Sequence, residues 1–151
     1  MDIVSSQKRS DMMKKVPQKD TSPEIFVRKA LHSVGLRFRI HVKNLPGTPD
    51  IVLPKYKVAI LVHGCFWHFH NECKLAKIPE SNHEEWRIKL ERNVMRDREQ
   101  IHQLQKLGWR VIIIWSCAIR KKLVFPIFEI AAWIKDEKRP EAYLEISHKN
   151  L

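Results

Sequence analysis

Apolar positions along the chain change period several times, and each change predicts an element. Val27, Ala30, Leu31 and Val34 recur every three to four residues, the spacing of one helix face. Ser22 can cap that helix, Pro23 suits its first turn and Gly35 stops it, so a helix is expected from residue 22 to about 34. Residues 38–42 alternate as a strand, 45–49 (LPGTP) form a turn, and 50–53 form a short strand broken by Pro54. Residues 57–62 are almost continuously apolar, as expected of a strand buried on both faces. Segment 63–79 has no period and is rich in histidine, cysteine and aromatic residues. A long helix is expected from about His83 to Leu107, ended by Gly108. Trp86, Leu90, Val94, Ile101 and Leu104 form its apolar stripe, while Lys89, Arg92, Asn93 and Arg96 share another face. WRVIIIW (109–115) reads as a second buried strand and 123–134 as a closing helix, with a polar tail after it. Strand, long helix, strand is a crossover unit, which favours two parallel neighbours in one sheet. The fold class expected is α/β, with a mixed central sheet whose start is antiparallel.

Charge adds a partner to this picture. The 151 residues carry 28 Lys and Arg against 17 Asp and Glu, a formal net charge of +11. Such an excess points to a polyanion, nucleic acid or an anionic membrane surface. Residues 1–20 read as a basic arm that either stays solvated or folds on DNA, and 21–151 as a single domain. No apolar run approaches the length of a membrane span and the first residues have no signal-peptide core, so a cytoplasmic location is expected. The three cysteines cannot all pair with one another, and in a reducing compartment they are free thiols or metal ligands. With only four glycines there is no phosphate-cradling loop.

Cys65, His70 and Cys73 stand as C-x4-H-x2-C, and Cys117 follows the WRVIIIW strand. Three thiols and an imidazole make a closed tetrahedral set for a structural Zn²⁺. If the two apolar strands are parallel neighbours, Cys65 and Cys117 meet at the same sheet edge. His63 and His68 compete with His70 for the fourth place. Asp50, opening a strand beside the end of the next, could hold Mg²⁺ against a phosphate, with His63 and His68 near enough to supply a base. Glu24 reads more simply as an acid favourable to a helix start, and Phe66 and Trp67 as core aromatics; wedges between base pairs are the sharper reading of that pair.

The motifs HGCFWH (63–68), LPGTPD (45–50), RNVMRD (92–97) and LGWRVIIIWSCAI (107–119), in this order and spacing, resemble the very short patch repair endonucleases. The resemblance runs from about Arg9 to Ile119. It implies a restriction-endonuclease-like α/β fold with a structural zinc site, and nicking of duplex DNA 5′ to the T of a T:G mismatch left by deamination of 5-methylcytosine. It implies Asp50 and the Val62 carbonyl as Mg²⁺ ligands, His68 as the water-activating base, Glu24 as the acid paired with it, and His63 as a second active-site histidine. Cys65, His70, Cys73 and Cys117 match the zinc ligands; Phe66, Trp67 and Met13 match the intercalating wedge; Lys89 and Asn93 match positions that reach the mismatched pair. Glu24, Phe66 and Trp67 thereby acquire roles that spacing alone does not assign. The implied partner is double-stranded DNA, with no membrane and no small-molecule substrate; a monomer suffices to cut one strand, and cooperation with general mismatch-repair proteins is expected of the family. Two alternatives are a restriction-type nuclease without mismatch preference and a non-catalytic, zinc-stabilised DNA-binding module.

Overall fold

The computed structural model describes residues 20–151; most of the basic arm, Met13 included, lies outside them. In chain order the elements are α1 (Ser22–Ser33), β1 (Ile51–Leu53), β2 (Val58–His63), α2 (His83–Lys106), β3 (Arg110–Trp115), the short α3 (Ser116–Ile119), α4 (Ile127–Lys135) and β4 (Tyr143–Ile146), with single 3₁₀ turns at Pro54–Tyr56, Lys74–Ala76, Lys122–Val124 and His148–Asn150. They make one four-stranded sheet in the order β1-β2-β3-β4. β1 is antiparallel to β2, with Ile51 opposite Ile60. β2 and β3 are parallel, with His63 opposite Trp115, and β3 and β4 are parallel, with Ile114 opposite Ile146. The mixed sheet with an antiparallel start is the one the pattern predicts.

Period-two alternation divides the apolar strands between two cores. Val58 and Ile60 of β2 with Ile112 and Ile114 of β3 face α1 and α4, where they bury Val27, Leu31, Ile130 and Ile134. Ala59, Leu61, Val111, Ile113 and Trp115 face the other way, onto Leu104 of α2 and the thiols Cys65 and Cys117. Both long-range helix ends close as Schellman motifs. After α1, Leu36 N–H donates to Leu31 O (3.1 Å) and Gly35 N–H to His32 O (3.0 Å). After α2, Trp109 N–H donates to Leu104 O (3.1 Å) and Gly108 N–H to Gln105 O (3.0 Å). Gly35 and Gly108 stand at φ +77° and +89°, a conformation side chains resist.

Four boundaries differ from the expectation. Thr21, not Ser22, caps α1, its Oγ1 accepting from Glu24 N–H at 3.4 Å. The strand at 38–42 reduces to one bridge, Arg39 opposite Val52, because His41 turns left-handed at φ +58° and an extended run cannot continue through it. The closing helix begins at Ile127 rather than 123: Pro126 holds Phe125 extended at φ −61°, ψ 124°, as a proline does to its predecessor. The polar tail contains a strand. In β4 the alternation Tyr143, Leu144, Glu145, Ile146 puts Ile146 into the core, and Trp115 Nε1 donates to Glu145 Oε1 at 2.5 Å. Four residues are too few to show a period on their own.

Candidate functional site

The ends of β2 and β3 and the loop after β2 carry two clusters. In the first, one nitrogen or sulfur atom from each of Cys65, His70, Cys73 and Cys117 lies within 4.8 Å of all the others. Cys65 follows β2 and Cys117 sits in α3 directly after β3, so parallel pairing brings them to one sheet edge. His70 Nδ1 is 3.6 Å from Cys117 Sγ. Zinc–sulfur and zinc–nitrogen bonds at a tetrahedral angle place two ligand atoms about 3.6 Å apart, so this separation is that of an edge of a metal tetrahedron. The His70 ring is held by stacking on Trp115, centroids 4.0 Å apart at 7°. Burial pushes the Cys65 thiol up to about 12, and burial lowers His70 below its usual value. A neutral imidazole beside a buried thiol that resists ionising without a cation is the donor chemistry of a metal site. The Cys/His cluster is therefore built to bind a metal.

The second cluster is His63, His68 and Asp97. His68 Nδ1 lies 2.6 Å from Asp97 Oδ2. The His63 and His68 rings stack with centroids 3.7 Å apart at 2°, and Trp115 meets His63 edge-on at 5.2 Å. Parallel stacked rings aim their in-plane lone pairs side by side instead of at one point, so this triad does not fit one cation as it stands. It fits proton transfer. With the Nδ1 proton donated to Asp97, His68 keeps Nε2 as an acceptor. His63 is buried, and its pKa is held well below the usual value by burial and by His68 and His70, so it stays a neutral ring supporting the stack.

Asp50, just before β1, has its Oδ2 fixed by Val62 N–H at 2.7 Å. Burial raises its pKa from 3.8 to about 7, against the Val62 hydrogen bond; Glu24 adds to the rise, while His68 and Arg28 oppose it. In an extended strand the carbonyl of a residue lies on the same edge as its N–H, so the Val62 carbonyl faces the Asp50 side. Glu24 is buried at the start of α1. Its Oε2 accepts from Asp20 N–H (3.0 Å) and from Arg28 Nη2 (3.3 Å). Two carboxylates sharing a pocket, one of them reluctant to ionise, are a site short of positive charge. Its oxygen donors fit a hard divalent cation.

Beside these groups Phe66, Trp67 and Trp86 pack edge to face, with centroids 5.4 to 5.9 Å apart. Lys89 Nζ sits 5.3 Å from the Trp67 ring and 5.5 Å from Trp86. Asn93 Nδ2 donates to Trp67 O at 3.0 Å. The cationic face expected on α2 thus meets the aromatic loop through these two residues.

A family model described as DNA mismatch endonuclease Vsr matches residues 1–75. The DNA mismatch endonuclease Vsr of Escherichia coli (strain K12) is 44% identical over 119 residues, 79% of this chain and 76% of the relative. The chain belongs to the Vsr family. Two further relatives are similar to it. The type II nicking enzyme V.XorIIP of Xanthomonas oryzae pv. oryzae is 45% identical over 78% of this chain and 86% of its own length. The type II nicking enzyme V.NmeAIP of Neisseria meningitidis serogroup A is 42% identical over 82% and 87%. Like its family, the chain is a DNA endonuclease, a hydrolase acting on DNA in mismatch repair.

Within this Vsr-family site the histidine's acid partner differs from the one the resemblance implies. His68 meets Asp97, whereas Glu24 hydrogen-bonds Asp20 and Arg28 and acts on Asp50. Asp97 is the main residue that the sequence reading passes over, and a signal for it exists. The buried line of α2 is Leu90, Asp97, Leu104, a heptad spacing, and the expected apolar stripe has its gap at residue 97. An acid where the period demands a leucine calls for a buried partner. Trp86 was legible as an apolar position, but only the fold brings it to Phe66. Arg28, held between Asp20 (2.7 Å) and Glu24, and His148, beside Cys117, carry no signal in the sequence. Among the described residues no helix is long and apolar enough to cross a membrane.

Proposed function

We propose that this endonuclease nicks one strand of duplex DNA 5′ to the T of a T:G mismatch, by Mg²⁺-dependent phosphodiester hydrolysis on a restriction-endonuclease-like scaffold. The observation that carries the reading is the convergence, at one sheet edge, of the raised Asp50 carboxyl, the His68–Asp97 pair and the Phe66–Trp67–Trp86 cluster.

Asp50 and the Val62 carbonyl would hold Mg²⁺, and the buried Glu24 carboxylate would add negative charge beside it. When bound, the cation polarises the phosphate and offsets the charge that builds on it. His68 accepts a proton from the attacking water at Nε2, and Asp97 keeps the ring in the required tautomer and orientation through Nδ1. His63 stacks against His68 and fixes its plane. Phe66, Trp67 and Met13 wedge into the base stack, which opens more easily at a mismatch than at a matched pair. Lys89 and Asn93 reach the mismatched pair from α2, and the remaining basic residues neutralise backbone phosphates. The Cys65, His70, Cys73 and Cys117 set would hold Zn²⁺ as a structural metal, shaping the loop and leaving the chemistry to the other cluster. One active site of this kind cuts one strand, so a monomer suffices. The relatives' description as nicking enzymes supports single-strand cutting.

End-labelled duplexes test this directly. With Mg²⁺, a duplex carrying T:G in several flanking contexts is expected to be nicked 5′ to the T, and its T:A control to remain whole. Asp50→Ala should abolish the nick while DNA binding persists. Cutting of both duplexes would replace the reading with a restriction-type nuclease, and unimpaired nicking by Asp50→Ala would remove Asp50 from the site.

A further inference from the structure

The C-terminal turn closes over the thiol cluster. β4 ends at Ile146, and Ser147 then caps the 3₁₀ turn His148–Asn150: its Oγ accepts from Lys149 N–H (3.1 Å), while Asn150 Oδ1 accepts from Ser147 N–H (2.7 Å). Asn150 Nδ2 donates back to Glu145 O at 2.8 Å. The turn so fixed presents His148 to Cys117 twice, through its backbone N–H at 3.3 Å and its ring Nδ1 at 3.2 Å from Sγ. His148 is not among the four residues whose ligand atoms lie within 4.8 Å of one another, so its ring stands outside that set, at hydrogen-bond distance from one of the sulfurs. Lys149 Nζ meets Glu72 Oε2 at 3.5 Å, which ties the same turn to the loop between His70 and Cys73. Cys65 has a comparable partner, since Ser116 Oγ donates to its Sγ at 3.2 Å.

Three thiolates around a divalent cation leave a net negative charge in a largely buried place. Hydrogen bonds to sulfur spread that charge and keep each thiolate from recapturing a proton and leaving the metal. We propose that His148 is the outer donor to the Cys117 thiolate and that the turn at 147–150 is a lid that retains the metal. The inference rests on the metal-centre reading above and extends it to a segment that supplies none of the four ligands.

The test uses the full-length holo-protein. Zinc release to an excess of chromogenic chelator is timed for the wild type, His148→Ala, His148→Asn and Glu72→Gln. The same proteins loaded with Co²⁺ report the sulfur-to-metal charge-transfer bands. His148→Ala should release zinc about tenfold faster and move the bands to lower energy, because an undonated thiolate gives up its electrons more readily. His148→Asn, which restores an N–H donor near the position of Nδ1, should recover both. Glu72→Gln, an exposed change, should speed release by a smaller factor without moving the bands. Release from His148→Ala within about twofold of the wild type, with unmoved bands, overturns the proposal and leaves the metal centre standing. Should that variant not fold, an unchanged release rate in Glu72→Gln overturns the lid. Failure of the reduced wild type to take up any metal overturns both readings together.

Discussion

Two clusters share one loop and differ in almost every physical respect. Cys65, His70 and Cys73 turn toward Cys117, while His63 and His68, interleaved with them in sequence, turn toward Asp97. In the first cluster His70 and Cys117 lie at a tetrahedral edge, and Trp115 and the small core around Leu61 and Ile113 seal it from water. In the second the rings lie parallel and cannot converge, the partner is a carboxylate, and His68 keeps one nitrogen free. The same residue type is thus a candidate ligand at position 70 and a candidate base at position 68. What separates them is the element each faces: the end of β3 for one, the middle of α2 for the other. A metal held by the first cluster would fix the backbone two residues from His68, and with it the base from which that ring projects.

The comparison breaks most visibly if the metal is removed. Chelation under reducing conditions, or Cys117→Ser, should cost on the order of 5 kcal/mol, a fall in Tm of roughly 10–20 °C for a chain of this size, and nicking should disappear with it. Thermal unfolding with metal analysis measures this. A metal-free protein with unchanged Tm would make the first cluster ordinary buried thiols.

Asp97 sharpens the comparison from the other side. Asp97→Leu completes the apolar line from Leu90 to Leu104, and it removes a carboxylate whose burial is costly. Because His68 Nδ1 loses its partner, the variant should fold with stability lowered by no more than about 3 kcal/mol, yet its kcat should drop about 100-fold or more, with zinc content unchanged. Loss of zinc or of fold in this variant would show that the two clusters are not separable.

The smallest effect is electrostatic. The Asp50 carboxyl titrates at about 7 in the folded chain against an ordinary 3.8, so between these pH values the folded state binds the extra proton. Stability of the chain without Mg²⁺ should therefore fall as pH rises from 4 to 7, by roughly 2 kcal/mol given the partial solvent access of this site. Asp50→Asn should match the wild type at pH 4 and exceed it at pH 8. His63 acts in the opposite sense: its lowered pKa withdraws stability as pH falls below 6.5, in both proteins alike, so the difference between them isolates Asp50. Equal Tm at pH 8 would mean that Asp50 is not short of positive charge.

Much of this is legible in the chain because it is local. Buried parallel strands announce themselves as continuous apolar runs, VAILV in β2 and VIII in β3. Gly35 and Gly108 mark helix ends because only glycine adopts their backbone cheaply. Three thiols and nearby histidines point to a metal set, though spacing leaves His63, His68 and His70 in competition for the fourth place, and Asp50 after a proline turn is visible by company. Site roles for Glu24, Phe66 and Trp67 come only from resemblance to a family, since from spacing alone the ordinary structural reading of each is the better one. β4 was missed because four residues carry no period.

The sequence by itself determined which residue types were present at which spacing: the thiols, the histidines, the long amphipathic helix and the two buried parallel strands. Only the tertiary structure decided who meets whom. It set Asp97 against His68 across 29 residues, His148 against Cys117 across 31, and Glu24 against Asp20 and Arg28. Local period fixes the face on which a side chain stands, but the partner depends on the register of β2 against β3 and on the rotation of α2 over the sheet. Both are set by how Leu104, Ile113 and Trp115 pack together, which is a property of the whole core.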